Sequence, residues 1–159
     1  MSQETPVHES DEQAVAVDDV DLEEAAVDYD EKRLADMRAV LEPRTLRILQ
    51  QLLASETGAL SPKEVAFRNP DVTESTIRDH LRTLTEEGLT EKLEPGVESI
   101  PNAIPRTYYA VSEYGIELLK QVGMYDGVAI LYQVYREMDR PEDVQEIEEW
   151  EHRPTPDWL

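Results

Sequence analysis

Ser75, Thr76, Arg78, Asp79 and Arg82 fall within one short run, Thr73–Leu89, TESTIRDHLRTLTEEGL. If that run is helical, the hydroxyls of Ser75 and Thr76 lie at its start. There they can bond phosphate oxygens alongside free backbone N–H groups. Arg78 and Arg82 lie one helical turn apart and can reach guanine edges or phosphates. Asp79 can accept from a cytosine amino group, or it can simply pair with Arg78 or Arg82. Lys63 and Arg68 precede this run and could touch a nucleic-acid backbone, while Lys92 and Arg106 follow it and could contact phosphates across the minor groove. The competing reading of every one of these residues is an ordinary solvated surface. His80 is better read as a packed or hydrogen-bonded structural histidine than as a ligand.

Such chemistry needs a helix held in one orientation, and the apolar spacing supplies it. Ile77, Leu81 and Leu84 recur at i, i+4 and i+7, so they face a core and turn Arg78 and Arg82 outward. Thr73 is placed to cap the helix, Glu74 suits its N-terminal dipole, and Gly88 can end it in the left-handed conformation with Leu89 folding back. Upstream, Ser61-Pro62-Lys63-Glu64 reads as a capping box with proline at the first helical position, and Asn69-Pro70 closes that helix. Before it, Pro43 opens a helix with Leu46, Leu49 and Leu53 on one face, widened by Ile48 and Leu52, which breaks at Thr57–Gly58. A leading helix carries Leu34, Met37, Val40 and Leu41 and ends near Leu41, because proline follows Glu42. Downstream, Thr90–Leu93 and Arg106–Val111 predict a hairpin around the long loop Glu94–Pro105. Ser112 caps a helix with Ile116, Leu119 and Val122. A further helix carries Tyr125, Val128, Leu131, Tyr132, Tyr135 and Met138 along one side and stops at Arg140-Pro141.

Charge is distributed unevenly. The chain has 36 acidic and 15 basic side chains, net −21. Residues 1–31 hold twelve acids and no base, residues 32–140 are nearly balanced, and residues 141–159 hold seven acids and one base. Residues 1–29 lack helical or strand periodicity and are expected to be a disordered acidic tail. Residues 141–159 are expected to be a second acidic tail, with one more helical segment over 142–150 and an extended end. Surplus carboxylate with few lysines suits a cytoplasm rich in potassium chloride, as in haloarchaea. Cysteine is absent, and three scattered histidines form no spaced pair for zinc. No metal, no cofactor, no membrane span and no catalytic constellation is expected, and a cytoplasmic location follows from the acidic N-terminus without signal pattern.

The order helix, turn, helix, hairpin, helix is that of a winged helix-turn-helix. The segments Ser75–Leu89 and Tyr108–Leu119, STIRDHLRTLTEEGL and YYAVSEYGIELL, resemble the recognition helix and the strand-to-helix passage of ArsR- and MarR-type regulators. The resemblance covers about residues 43–122. It implies a mainly α fold with a small β-hairpin (α+β), and DNA contacts from Ser75, Thr76, Arg78, Asp79 and Arg82. It also implies a homodimer built through terminal helices. The metal-binding cysteines of metal-sensing members have no counterpart here. The expected organisation is a winged helix-turn-helix domain with its leading helix over 30–122, and a C-terminal helix over 123–140 suited to dimerisation. The expected function is a sequence-specific transcriptional regulator on double-stranded DNA, with the effector unknown. The alternative is a winged-helix module that docks protein partners without binding DNA.

Overall fold

A computed structural model describes residues 30–159. The expectation of an acidic tail over residues 1–29 lies outside the described residues. Packing contacts divide the chain after Ala35, and the core lies in Asp36–Leu159. Seven helices and three short strands are present among the described residues. In chain order they are α1 (Glu31–Val40), α2 (Pro43–Leu53), β1 (Ala59–Leu60), α3 (Pro62–Arg68), α4 (Glu74–Glu86), β2 (Thr90–Leu93), β3 (Tyr108–Val111), α5 (Glu113–Gln121), α6 (Val128–Arg136) and α7 (Glu142–Glu149).

Local chemistry sets the helix ends. Pro43 opens α2, and the Glu42 carboxylate caps it by accepting from the Arg44 N–H at 2.8 Å. The expected capping box at α3 forms: Ser61 Oγ accepts from the Glu64 N–H at 3.3 Å and the Glu64 carboxylate from the Ser61 N–H at 2.9 Å. Thr73 caps α4 through the Thr76 N–H, and Ser112 caps α5 through the Gly115 N–H. After α4 the backbone turns at Gly88 with φ of 82°, and Leu89 N–H reaches back to the Leu84 carbonyl at 2.9 Å. Gly115 meets a different demand. A Cβ there would stand 2.4 Å from the Leu89 carbonyl oxygen, so α5 can lie this close to the start of β2 only because position 115 has no side chain.

The main core gathers Ile48, Leu49 and Leu52 of α2, Val65 of α3, Ile77, Leu81 and Leu84 of α4, and Leu118 and Leu119 of α5. On α2 the fully buried face is Ile48–Leu49–Leu52. Leu46 and Leu53, expected at its centre, lie at its margins and are only partly buried. Leu41 stands outside the leading helix and is 46% exposed, whereas Val40 is fully buried.

The sheet departs most from the two-stranded expectation. Its order is β1-β3-β2, all antiparallel, with Ala59 opposite Ala110 and Lys92 opposite Tyr109. Both faces are covered. Tyr109 and Val111 join the main core, while Tyr108 and Ala110 join a second cluster with Ala59, Ile104 and Ile147, against which Ile100 and Trp150 pack. Burial of Tyr108 pushes its phenol pKa up to about 12.

Ile147 and Trp150 belong to the stretch expected to be an acidic tail with a helical segment over 142–150 and an extended end; the helix forms, and what differs is that the stretch packs on the sheet. Residues 141–159 form α7 and an extended end that close the second face of the sheet. The Trp158 indole donates to the Val111 carbonyl at 2.8 Å. The Arg153 guanidinium lies over the Tyr108 ring, donates to the carbonyls of Ile147 and Ala59, and pairs with Glu64 at 2.9 Å. These two charged side chains are 6% and 2% exposed. A buried pair adds little over apolar packing, but losing one partner strands the other charge. Arg153→Met is therefore expected to destabilise the fold by about 3–5 kcal/mol, read from urea unfolding. Adding Glu64→Gln should recover part of that loss, and strictly additive losses would show that the two side chains are not coupled.

Candidate nucleic-acid interface

The helix α4 carries Ser75, Thr76, Arg78, Asp79 and Arg82, which the sequence singles out. Ile77 and Leu81 are fully buried and Leu84 is 2% exposed, which holds the helix by one face. Ser75, Thr76, Arg78, Asp79 and Arg82 lie on the exposed remainder. Thr76 Oγ accepts a hydrogen bond from Thr73 Oγ at 3.0 Å. Arg78 pairs with Glu74 at 2.5 Å and Arg82 with Asp79 at 2.9 Å. Of the roles open to Asp79, the structure shows the ion pair with Arg82. All four of these side chains keep between 38% and 65% of their surface exposed. Exposed pairs of this kind contribute about 0–1 kcal/mol. Either arginine can therefore exchange its carboxylate for a stronger acceptor at little cost.

Lys92 on β2 and Arg106 in the loop before β3 are exposed. They lie on the hairpin that follows α4 and carry positive charge without an acidic partner in reach among the described residues.

Lys63 and Arg68 of α3 are both engaged by the C-terminal elements, Lys63 at the surface and Arg68 inside. Lys63 pairs with Asp143 of α7 at 2.8 Å, which holds the Asp143 carboxyl below the usual carboxylate range. Arg68 turns inward, donates to the Gln51 carbonyl at 3.2 Å and stacks over the Tyr135 ring at 4.6 Å. Burial pulls its pKa below the ordinary arginine value. The expectation for Arg68 was a nucleic-acid backbone contact; in the structure its guanidinium is engaged within the chain. The side of α3 bearing Lys63 and Arg68 faces the C-terminal elements, which a reading of the first 122 residues leaves out.

Arg47 of α2 is a further exposed cation near α4. It approaches Asp71 at 3.8 Å and Asn69 at 3.5 Å, and so stands beside the turn between α3 and α4. It lies on the polar side of the α2 stripe. The same turn is anchored from within. Gln51 and Asn69, both buried, exchange hydrogen bonds through their side-chain amides at 3.2 and 2.7 Å. Gln51 also donates to the Tyr135 hydroxyl at 2.9 Å.

His80 bears out its structural reading. Its Nε2 lies 2.9 Å from the Thr45 hydroxyl of α2, and partial burial there lowers its pKa below the usual histidine value. The sign of the linkage follows. The unfolded chain holds the proton more tightly, so this contribution is complete above the unfolded pKa of about 6.5 and is lost as pH falls toward and past the depressed folded value. The native chain should accordingly lose more stability than His80→Gln when taken from pH 7.5 to pH 5.5, measured by urea unfolding. Parallel losses would show that His80 titrates alike in both states.

With this geometry in place, the fold defines a winged helix-turn-helix. A family model described as a helix-turn-helix domain matches residues 40–92. A solved structure from Halomicrobium mukohataei, described as a protein with a GntR superfamily winged-helix-turn-helix domain, is 38% identical to this chain. It covers 79% of this chain and 88% of its own, with a TM-score of 0.73. The chain belongs to that family of winged-helix-turn-helix proteins. No curated protein matches it. No helix among the described residues is long and apolar enough to cross a membrane.

Proposed function

We propose that the protein is a sequence-specific transcriptional regulator that lodges the start of α4 in the DNA major groove. The observation that carries this reading is the pinning of Ile77, Leu81 and Leu84 inside. It commits Ser75, Thr76, Arg78, Asp79 and Arg82 to one exposed surface beside a wing bearing Lys92 and Arg106. Ser75 and Thr76 bond phosphates at the helix start, and Arg78 and Arg82 read base edges. The kinship to ArsR- and MarR-type regulators belongs to the same proposal, as does a haloarchaeal cytoplasm as its setting.

The acidic composition shapes how binding must work. At net −21 the chain is repelled by a duplex in dilute salt. In about 1 M salt the screening length shrinks to roughly 3 Å. Distant carboxylates then cease to matter, and close contacts and shape carry the affinity. The salt dependence should be shallower than that of a basic regulator. Selection from random duplexes in molar potassium chloride should enrich one sequence. Arg78→Ala and Arg82→Ala should each weaken binding to it by about 1–3 kcal/mol. Selection that enriches nothing would refute the assignment.

The reading includes a homodimer. The tyrosine side of α6 is taken up within the chain: Tyr135 binds Gln51, and Tyr132 donates to Glu56 at 3.3 Å. The opposite side leaves Ile130 69% and Val134 51% exposed, one turn apart. A second copy meeting this pair would set two α4 helices about one DNA turn apart, roughly 34 Å. Sedimentation should show a dimer for the native chain and a monomer for Val134→Glu. A native chain that is monomeric throughout would remove the dimer and leave α4 unaffected.

A further inference from the structure

Different elements border the two flanks of α4. His80 meets the Thr45 hydroxyl of α2 at 2.9 Å, and the Thr85 hydroxyl meets that of Thr90 in β2 at 2.8 Å. At about 100° of rotation per residue, His80 and Thr85 fall on opposite sides of the buried stripe Ile77–Leu81–Leu84. Helix α4 therefore lies between α2 and the wing strand β2, with Ser75, Asp79 and Arg82 facing outward between them.

The wing flank carries Lys92 and Arg106, and the α2 flank carries cations of its own. Arg44 and Arg47, one turn apart, are both exposed. Arg44 adjoins Thr45, and its charge acts alongside burial, the main cause, in lowering the His80 pKa. The neighbouring Glu42 carboxylate is turned to the backbone N–H groups of Arg44 and Thr45, and the Arg44 guanidinium makes no ion pair among the described residues. Arg47 approaches Asp71 at 3.8 Å, just before the start of α4. Both partners of that pair are largely exposed, so it is weakly held and open to exchange.

Two phosphate backbones border the major groove, which is about 12 Å wide. A helix about 10–12 Å across fills it, and each flank then faces one backbone. We propose that Arg44 and Arg47 bind DNA phosphates along the α2 flank of α4, on the side of the groove away from the wing. This rests on α4 entering the groove, and it adds a sequence-independent grip to the base contacts. Guanidinium suits the role because it can hold a phosphate through two parallel hydrogen bonds.

The probe is a mixed-sequence DNA duplex, titrated with the full chain from moderate to molar potassium chloride. Arg44→Gln and Arg47→Gln should each reduce the slope of log affinity against log salt by about 1. Each should weaken the mixed-sequence duplex and the selected duplex by the same factor, because phosphate contacts carry no base information. Arg47→Lys, which keeps the charge, should keep the slope. Arg136→Gln removes the same charge near the far end of α2, beside Ala54 and Ser55, and should leave the slope unchanged. Slopes unaltered by the two glutamine variants, an equal loss from Arg136→Gln, or a loss confined to the selected duplex would each overturn the proposal and leave the α4 assignment standing. Reduced slopes in a chain whose sequence preference ignores Arg78→Ala and Arg82→Ala would support the grip and refute base reading by α4. A chain that binds no duplex would overturn both.

Discussion

The buried pair of Arg153 and Glu64 joins parts of the chain that sequence distance keeps apart. Glu64 closes the N-terminal turn of α3 through the capping box, so one carboxylate both starts a helix of the helix-turn-helix and receives a cation from 89 residues downstream. Arg153 also donates to the backbone carbonyls of Ala59 in β1 and Ile147 in α7 and to the Thr57 hydroxyl. A charge this deep is tolerable only when it is paired and hydrogen-bonded. That requirement locks α3, the sheet and the C-terminal segment into a single arrangement, in which the direction of α4 is also settled.

From that arrangement follows a division of labour between the faces of the domain. Cations on α4 and the wing stay near the surface in weak, exchangeable pairs or in none. Arg68 of α3 and Arg153 of the C-terminal segment are spent internally, on Tyr135 and on Glu64, while Lys63 pairs with Asp143 at the surface. In a chain so acidic, the few basic side chains thus separate into those held within the fold and those that stay exposed at the surface.

The course of α4 was legible because its causes are local. The apolar spacing, the threonine cap and the glycine stop all lie within seventeen residues, and the structure follows each. The burial of His80 was legible for the same reason. The strand β1 was not, because two residues cannot display a period, and Ala59–Leu60 becomes a strand only by pairing with β3. The inward turn of Arg68 was likewise hidden, since nothing near it in sequence announces Tyr135. Residues 141–159 misled through their charge. Seven acids suggested a solvated end, while Val144 and Ile147, three apart, already marked the buried side of a short helix.

The doubly covered sheet also limits how the chain can be divided. The recognised helix-turn-helix segment stops at residue 92, one residue short of the end of β2. A fragment cut at residue 140 would keep every helix of the winged motif, yet it would bare Tyr108 and Ala110 to water and leave Glu64 without its cation. Trimming to the motif alone would thus produce a sticky, poorly soluble piece, and the autonomous unit is larger than the motif by which it is recognised.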